Sequence, residues 1–236
     1  MTETKPVLYL LPGLVCDETI WRHQVAGLSD HYDVRVPDYR HCDSIQGMAE
    51  VVLKTAPETI ALAGHSMGGR VALEIVRRQQ REITHLALLD TAAGPAVESE
   101  FDKRMAWVRL AEQQGMQVLA DTWLPPMLHP DRVHDKILVQ ELKAMIGRFT
   151  PGEFAGEIKA LLERPDAMPV LTRIRCPVLV VCGRQDAWRS VEQHAELAAM
   201  VPGAAFEVIE DCGHMSTIER PAEVTACLRG FLGLPV

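Results

Sequence analysis

The chain has 236 residues, 47% hydrophobic and 24% charged, and its 24 Lys and Arg against 32 Asp and Glu give a formal net charge of −8. That length supports one large hydrophobic core, and no run approaches the roughly 18–20 consecutive apolar residues of a membrane-spanning helix. The acidic balance and the 5% aromatic content speak against nucleic acid or an anionic membrane surface as a partner.

Val7-Leu8-Tyr9-Leu10-Leu11, stopped by Pro12-Gly13, is the first expected strand. A helix follows, capped at Asp17, with Trp21, Val25 and Leu28 on its apolar face. Val34-Arg35-Val36 is the second strand, and Ser44 caps a helix with Ile45, Met48 and Val52 on one face. The third strand, Thr59 to Gly64, runs into a helix carrying Val71, Ala72, Ile75 and Val76, and His85 to Leu89 is the fourth. Residues 95–170 read as helices only: Phe101 to Gln114, Met116 to Trp123, Arg132 to Arg148 and Gly152 to Arg164. Strand and helix then resume with Pro177 to Val181, a Ser190–Gln193 capping box, Ala205 to Ile209, and a last helix opened by Pro221. Most strand runs are continuously apolar, as buried strands of a parallel sheet require. The alternation predicts a doubly wound α/β sheet of about six mostly parallel strands. Residues 1–94 and 171–236 would form its core, and 95–170 a helical lid inserted between two strands.

The strongest chemical signal is Gly64-His65-Ser66-Met67-Gly68-Gly69 at the junction of a strand and a helix. Such a turn forces strained backbone angles on Ser66, and glycines two before and two after it avoid collisions with neighbouring backbone. A serine hydroxyl needs a base, and the base needs an orienting acid. Among nine histidines, His214 follows the last strand at the sheet's carboxyl edge, where open α/β sheets place their sites. His65 is read as shaping the elbow, His41 as a candidate contact at the pocket rim, and His194, with four others, as solvated or half-buried. Asp186 follows the penultimate strand, and its Gly183 is read as the flexible residue that lets the carboxylate curl over the edge. Asp90 is the rival at the same edge, where capping the turn into the lid is a sufficient role. The order Ser66, Asp186, His214 is the nucleophile, acid and base order associated with this elbow. The backbone N–H groups of Met67 and Leu14 are the expected oxyanion donors. Trp188, two residues past Asp186, and Met215, Trp107 and Trp123 are candidate substrate contacts. Met105, Met116 and Met127 are weighed as pocket or packing residues.

With these residues in place the chain resembles the α/β-hydrolase superfamily over nearly its whole length, through Leu11-Pro12-Gly13-Leu14, the Ser66 elbow, Gly183-Arg184-Gln185-Asp186 and Cys212-Gly213-His214. It looks most like small bacterial carboxylesterases of the enol-lactonase and biotin-pathway methyl esterase kind, without the family's N-terminal antiparallel hairpin. The resemblance implies a serine hydrolase acting on a small carboxylic ester, lactone or thioester, with no cofactor and no metal. Two alternatives stand beside it: a C–C bond hydrolase or cofactor-free perhydrolase using the same residues, and a ligand receptor without turnover. The six cysteines form no CxxC or Cys/His cluster, and Met1 to Pro6 lacks the layout of a secretory signal. Both features predict a cytoplasmic protein without disulfides or structural zinc; a monomer or homodimer is the expected assembly.

Overall fold

In the computed structural model, which describes residues 5–235, the first apolar run becomes β1 (Val7–Leu11), buried at all five positions. Residues 1–4, where the expected absence of a secretory leader falls in part, lie outside the described residues. Asp17 caps a short 3₁₀ turn (Glu18–Trp21) by accepting the Thr19 N–H at 2.9 Å, and α1 (Arg22–Leu28) continues from it. The single helix expected here is therefore two pieces. The chain proceeds through β2 (Asp33–Arg35), α2 (Ile45–Thr55), β3 (Thr59–His65), α3 (Met67–Arg78) and β4 (Glu82–Leu89). Ser44 caps α2 through the Gly47 N–H, and Ile45, Met48 and Val52 are buried. Strand β4 begins three residues before the apolar run, because Glu82 and Ile83 pair with Thr59 and Ile60 of β3.

Five helices follow: α4 (Glu98–Gln114), α5 (Met116–Trp123), α6 (Lys136–Ile146), α7 (Pro151–Leu162) and the short α8 (Met168–Leu171). The helix expected over 132–148 is broken at Asp135, which takes ψ 93° and caps α6 through the N–H groups of Ile137 and Leu138. A Thr150–Glu153 capping box starts α7. The chain ends with β5 (Val178–Gly183), α9 (Val191–Ala199), β6 (Ala205–Ile209), α10 (Ser216–Glu219) and α11 (Pro221–Phe231). The Ser190–Gln193 capping box opens α9. His194 on that helix is fully buried instead of solvated, its Nδ1 2.9 Å from the Ser190 carbonyl oxygen.

The six strands form one sheet in the order β2-β1-β3-β4-β5-β6, and every neighbouring pair is parallel. The chain steps outward from β1 to β2 and then back across to β3. Right-handed crossovers therefore put α1 and α2 on opposite faces; α1 packs on α11, and α2 on α3. Strands β1, β3 and β5 are buried almost throughout, whereas β6 at the edge alternates exposed and covered residues. The order reverses between β1 and β3, so the loops at their carboxyl ends flank a crevice of the kind that holds ligands in open α/β sheets. Helices α4–α8 come between β4 and β5 in sequence, although those strands are hydrogen-bonded neighbours.

Candidate active site

Ser66 sits between β3 and α3 with φ 54° and ψ −114°, backbone angles that few L-residues adopt. The surrounding glycines make the turn possible. A Cβ on Gly64 would lie 2.4 Å from the Gly68 carbonyl oxygen, and one on Gly68 would lie 2.0 Å from the Leu11 carbonyl oxygen. Two hydrogen bonds hold the strained residue from the β4 side. The Ser66 N–H donates to the Leu89 carbonyl at 2.9 Å, and the Thr91 hydroxyl donates to the Ser66 carbonyl at 2.6 Å.

His214 meets Ser66 from the loop after β6, its Nε2 3.0 Å from Ser66 Oγ and its Nδ1 2.8 Å from Asp186 Oδ2. A carboxylate only accepts, so Nδ1 carries the proton and Nε2 is free to accept from the serine hydroxyl. Burial opposes the imidazolium, but the charge and hydrogen bond of Asp186 outweigh it and raise the His214 pKa above its ordinary value. Asp186 Oδ1 accepts the N–H groups of Trp188 and Arg189 at 2.8 and 3.0 Å, which fixes the carboxylate's direction. Gly183 serves close approach and not flexibility, since a Cβ there would lie 2.0 Å from the Gly213 carbonyl oxygen. Asp90 does not cap the turn into the lid. It is fully buried, accepts the Gly183 N–H at 2.9 Å and bonds the Ser216 hydroxyl, tying β4 to β5 and α10. Burial, then the charge of Asp186, pushes its pKa up to about 8.

Two further side chains shape the histidine loop. His65 donates from Nε2 to the His214 carbonyl at 2.8 Å, and burial followed by repulsion from His214 lowers its pKa to about 3, keeping it neutral. Glu219 was not singled out from sequence. Its buried carboxylate accepts the N–H groups of Gly213, Met215 and His129 at 3.1, 3.1 and 2.7 Å, joining the His214 loop to the segment before α6.

Ser66 and His214 open onto a cavity of about 80 Å³ that Leu14, Met67, Trp123, Trp188 and Met215 also line. Val15, with φ 47°, turns the loop after β1, and its N–H donates to Glu157 of α7 at 2.7 Å. Trp188 stacks on His214, with ring centroids 5.6 Å apart. Trp107 is not on this cavity; it stacks behind Trp188 at 5.5 Å and lines a neighbouring hollow. Met127 reaches the cavity, whereas Met105 and Met116 do not, and His41 is exposed away from it. The cavity also holds Arg70, Arg104 and Arg189, which the reading of the sequence passed over. Arg70 carries the one available signal: it follows Ser66 by four residues, one turn along α3. Among the described residues no group of three His, Cys, Asp or Glu side chains is placed to hold a metal ion, and the six cysteines are free thiols.

The model of the alpha/beta hydrolase family matches residues 8–226. The chain belongs to that family. The hydrolase is 26% identical over 234 residues to 3-oxoadipate enol-lactonase 2 of Acinetobacter baylyi, covering 92% of this chain and 85% of that protein. It is 25% identical over 242 residues to the pimeloyl-[acyl-carrier protein] methyl ester esterase of Aliivibrio fischeri, covering 95% of this chain and 93% of that one. Among solved structures, a thermophilic esterase from Thermogutta terrifontis superposes with a TM-score of 0.88 at 26% identity, over 98% of this chain and 91% of the other. The fold is thus one that esterases and lactonases use, and no helix among the described residues is long and apolar enough to cross a membrane.

Proposed function

We propose that this hydrolase cleaves small carboxylic esters, lactones or thioesters through an acyl-enzyme on Ser66. The observation that carries the reading is the hydrogen-bonded series Ser66 Oγ, His214 Nε2, His214 Nδ1, Asp186 Oδ2, with links of 3.0 and 2.8 Å. In this reading His214 takes the serine proton as Oγ attacks the carbonyl carbon. Asp186 keeps the imidazole in the required tautomer and stabilises the imidazolium that forms. The N–H groups of Met67 and Leu14, on residues that line the same cavity, receive the developing oxyanion. His214 returns the proton to the leaving alcohol or thiol. Water then repeats the sequence on the acyl-enzyme and releases the acid.

Helices α4–α8, which fill residues 95–170 and end one residue beyond them, act as a lid over this chemistry. That role is supported by Arg104, Trp123, Met127 and Leu161, which they and the loops between them contribute to the cavity wall. Trp188, Trp123 and Met215 line the substrate's path. Trp107 backs Trp188 and contributes indirectly.

Ser66→Ala tests the reading. Hydrolysis of 4-nitrophenyl butyrate should fall by roughly 10⁴ to 10⁶ in kcat, with an unchanged circular dichroism spectrum. The wild-type protein should release a burst of one nitrophenolate per chain as the acyl-enzyme fills. A folded variant that retains more than a few per cent of activity would end the covalent mechanism.

A further inference from the structure

Beside Ser66 the hydrolase concentrates positive charge that its own carboxylates do not balance. Arg70, Arg104 and Arg189 share the cavity wall with Ser66 and His214. Arg164 stands close behind them. The acidic partner of this group is Glu100, which binds Arg104 at 3.1 Å and Arg164 at 2.6 Å. Arg164 is fully engaged, donating to Glu100 and to the carbonyls of Gly94, Pro95 and Leu161. Arg70 differs. Its side chain is almost wholly buried, its one hydrogen bond among the described residues goes from Nη1 to the Gly94 carbonyl at 2.8 Å, and no carboxylate there lies within salt-bridge reach. Arg104 Nη1 is buried without a hydrogen-bond partner. The neighbouring hollow shares Arg104, Trp123, Trp188 and Arg189 with the cavity and adds Lys103, with Glu100 as its acidic residue. Composition does not explain this, because the chain as a whole carries a net charge of −8.

A buried guanidinium without an opposite charge is costly, and proteins pair such groups or use them. The strain shows in Arg70 itself: burial first, then repulsion from Arg164 and Arg189, lowers its pKa well below the ordinary arginine value. A planar fork of N–H donors matches a carboxylate in both geometry and charge. We infer that Arg70, Arg104 and Arg189 form an acid-binding subsite, so that the ester this hydrolase cleaves carries a carboxylate away from the scissile carbonyl. The subsite rests on the ester-hydrolase reading for its purpose, but its ligand preference can be measured without turnover.

The test compares 4-nitrophenyl hydrogen adipate with 4-nitrophenyl hexanoate, which has the same chain length and no charge. The wild-type kcat/KM should favour the acid at least tenfold. That ratio should fall at least tenfold in both Arg70→Gln and Arg104→Met, and Arg104→Lys should restore part of it. A merely structural role for these arginines would lower both esters together and leave the ratio alone, which would overturn the proposal. Trp188, Trp123 and Trp107 supply a binding signal independent of chemistry. Their fluorescence should titrate saturably with adipate and not with adipamide in the wild-type protein. Saturable adipate binding without release of nitrophenolate from either ester would end the hydrolase mechanism and leave the subsite standing. Equal turnover of both esters, with no adipate binding, would do the reverse.

Discussion

Two aspartates reach the carboxyl edge of the sheet near His214, and their surroundings give them different proton inventories. Asp186 faces the His214 N–H and two backbone amides, and although burial works against it, these hold its pKa below the usual carboxylate value. Asp90 faces one amide, one hydroxyl and, at 3.8 Å, the neutral His65 ring, with a pKa near 8, so at neutral pH it is largely a carboxylic acid. Asparagine copies that acid closely: its carbonyl accepts from Gly183, and its NH₂ donates to the Ser216 hydroxyl, which can turn. Asp90→Asn should therefore keep most ester turnover, while Asp186→Asn should lose roughly 10⁴ in kcat by favouring the wrong imidazole tautomer. Steady-state rates on folded samples of both variants decide the matter, and the opposite ranking would move the acid to Asp90. The sequence makes Ser66, Asp186 and His214 legible because their turns need glycines at fixed offsets and a fixed chain order. It leaves the environment of Asp90 unread, because a hydrogen bond from Gly183 and another to Ser216 span 93 and 126 residues.

The loops that carry these residues are held by carboxylates that local pattern cannot assign. Glu219 lies on α10, a helix of four residues, and reads in sequence as an ordinary polar position ahead of Pro221. Its role exists only once β6, α10 and the segment at 127–129 meet, where its two oxygens take three amides. Glu219→Ala should leave the buried amides of Gly213 and Met215 without acceptors, a loss of about 2–4 kcal/mol in stability. A looser His214 should cost roughly 10- to 100-fold in kcat. Thermal melts and kinetics on one purified sample check both, and wild-type values for each would show that the three hydrogen bonds are dispensable. Element type was more legible than element limits for a related reason. Apolar period identifies a buried strand or helix face, but the start of β4 is set by pairing to β3, and the break before α6 by the Asp135 cap.

At the scale of the molecule, the helices between β4 and β5 are tied to the first strand's loop through Glu157, which accepts the Val15 N–H across 142 residues. Burial raises the Glu157 pKa to about 8, and the Val15 hydrogen bond only partly offsets this. The folded chain therefore binds a proton here between about pH 4.5 and 8 that the unfolded chain has released. With more protons bound in the folded state, stability falls as pH rises through that window. Asp90, displaced in the same direction to about 8, adds a slope of the same sign. The protein should accordingly melt at a lower temperature at pH 8 than at pH 5.5, contrary to the usual behaviour of carboxylates held by salt bridges. Glu157→Gln keeps the acceptor for Val15 and removes the ionisation. At pH 8 it should melt roughly 5 °C or more above the wild type, and near the wild-type temperature at pH 5. Part of the slope that remains in Glu157→Gln belongs to Asp90 and should flatten further when Asp90→Asn is added. An unchanged slope in Glu157→Gln would show that the carboxyl stays ionised, and that the contact between α7 and the loop after β1 is a charged one.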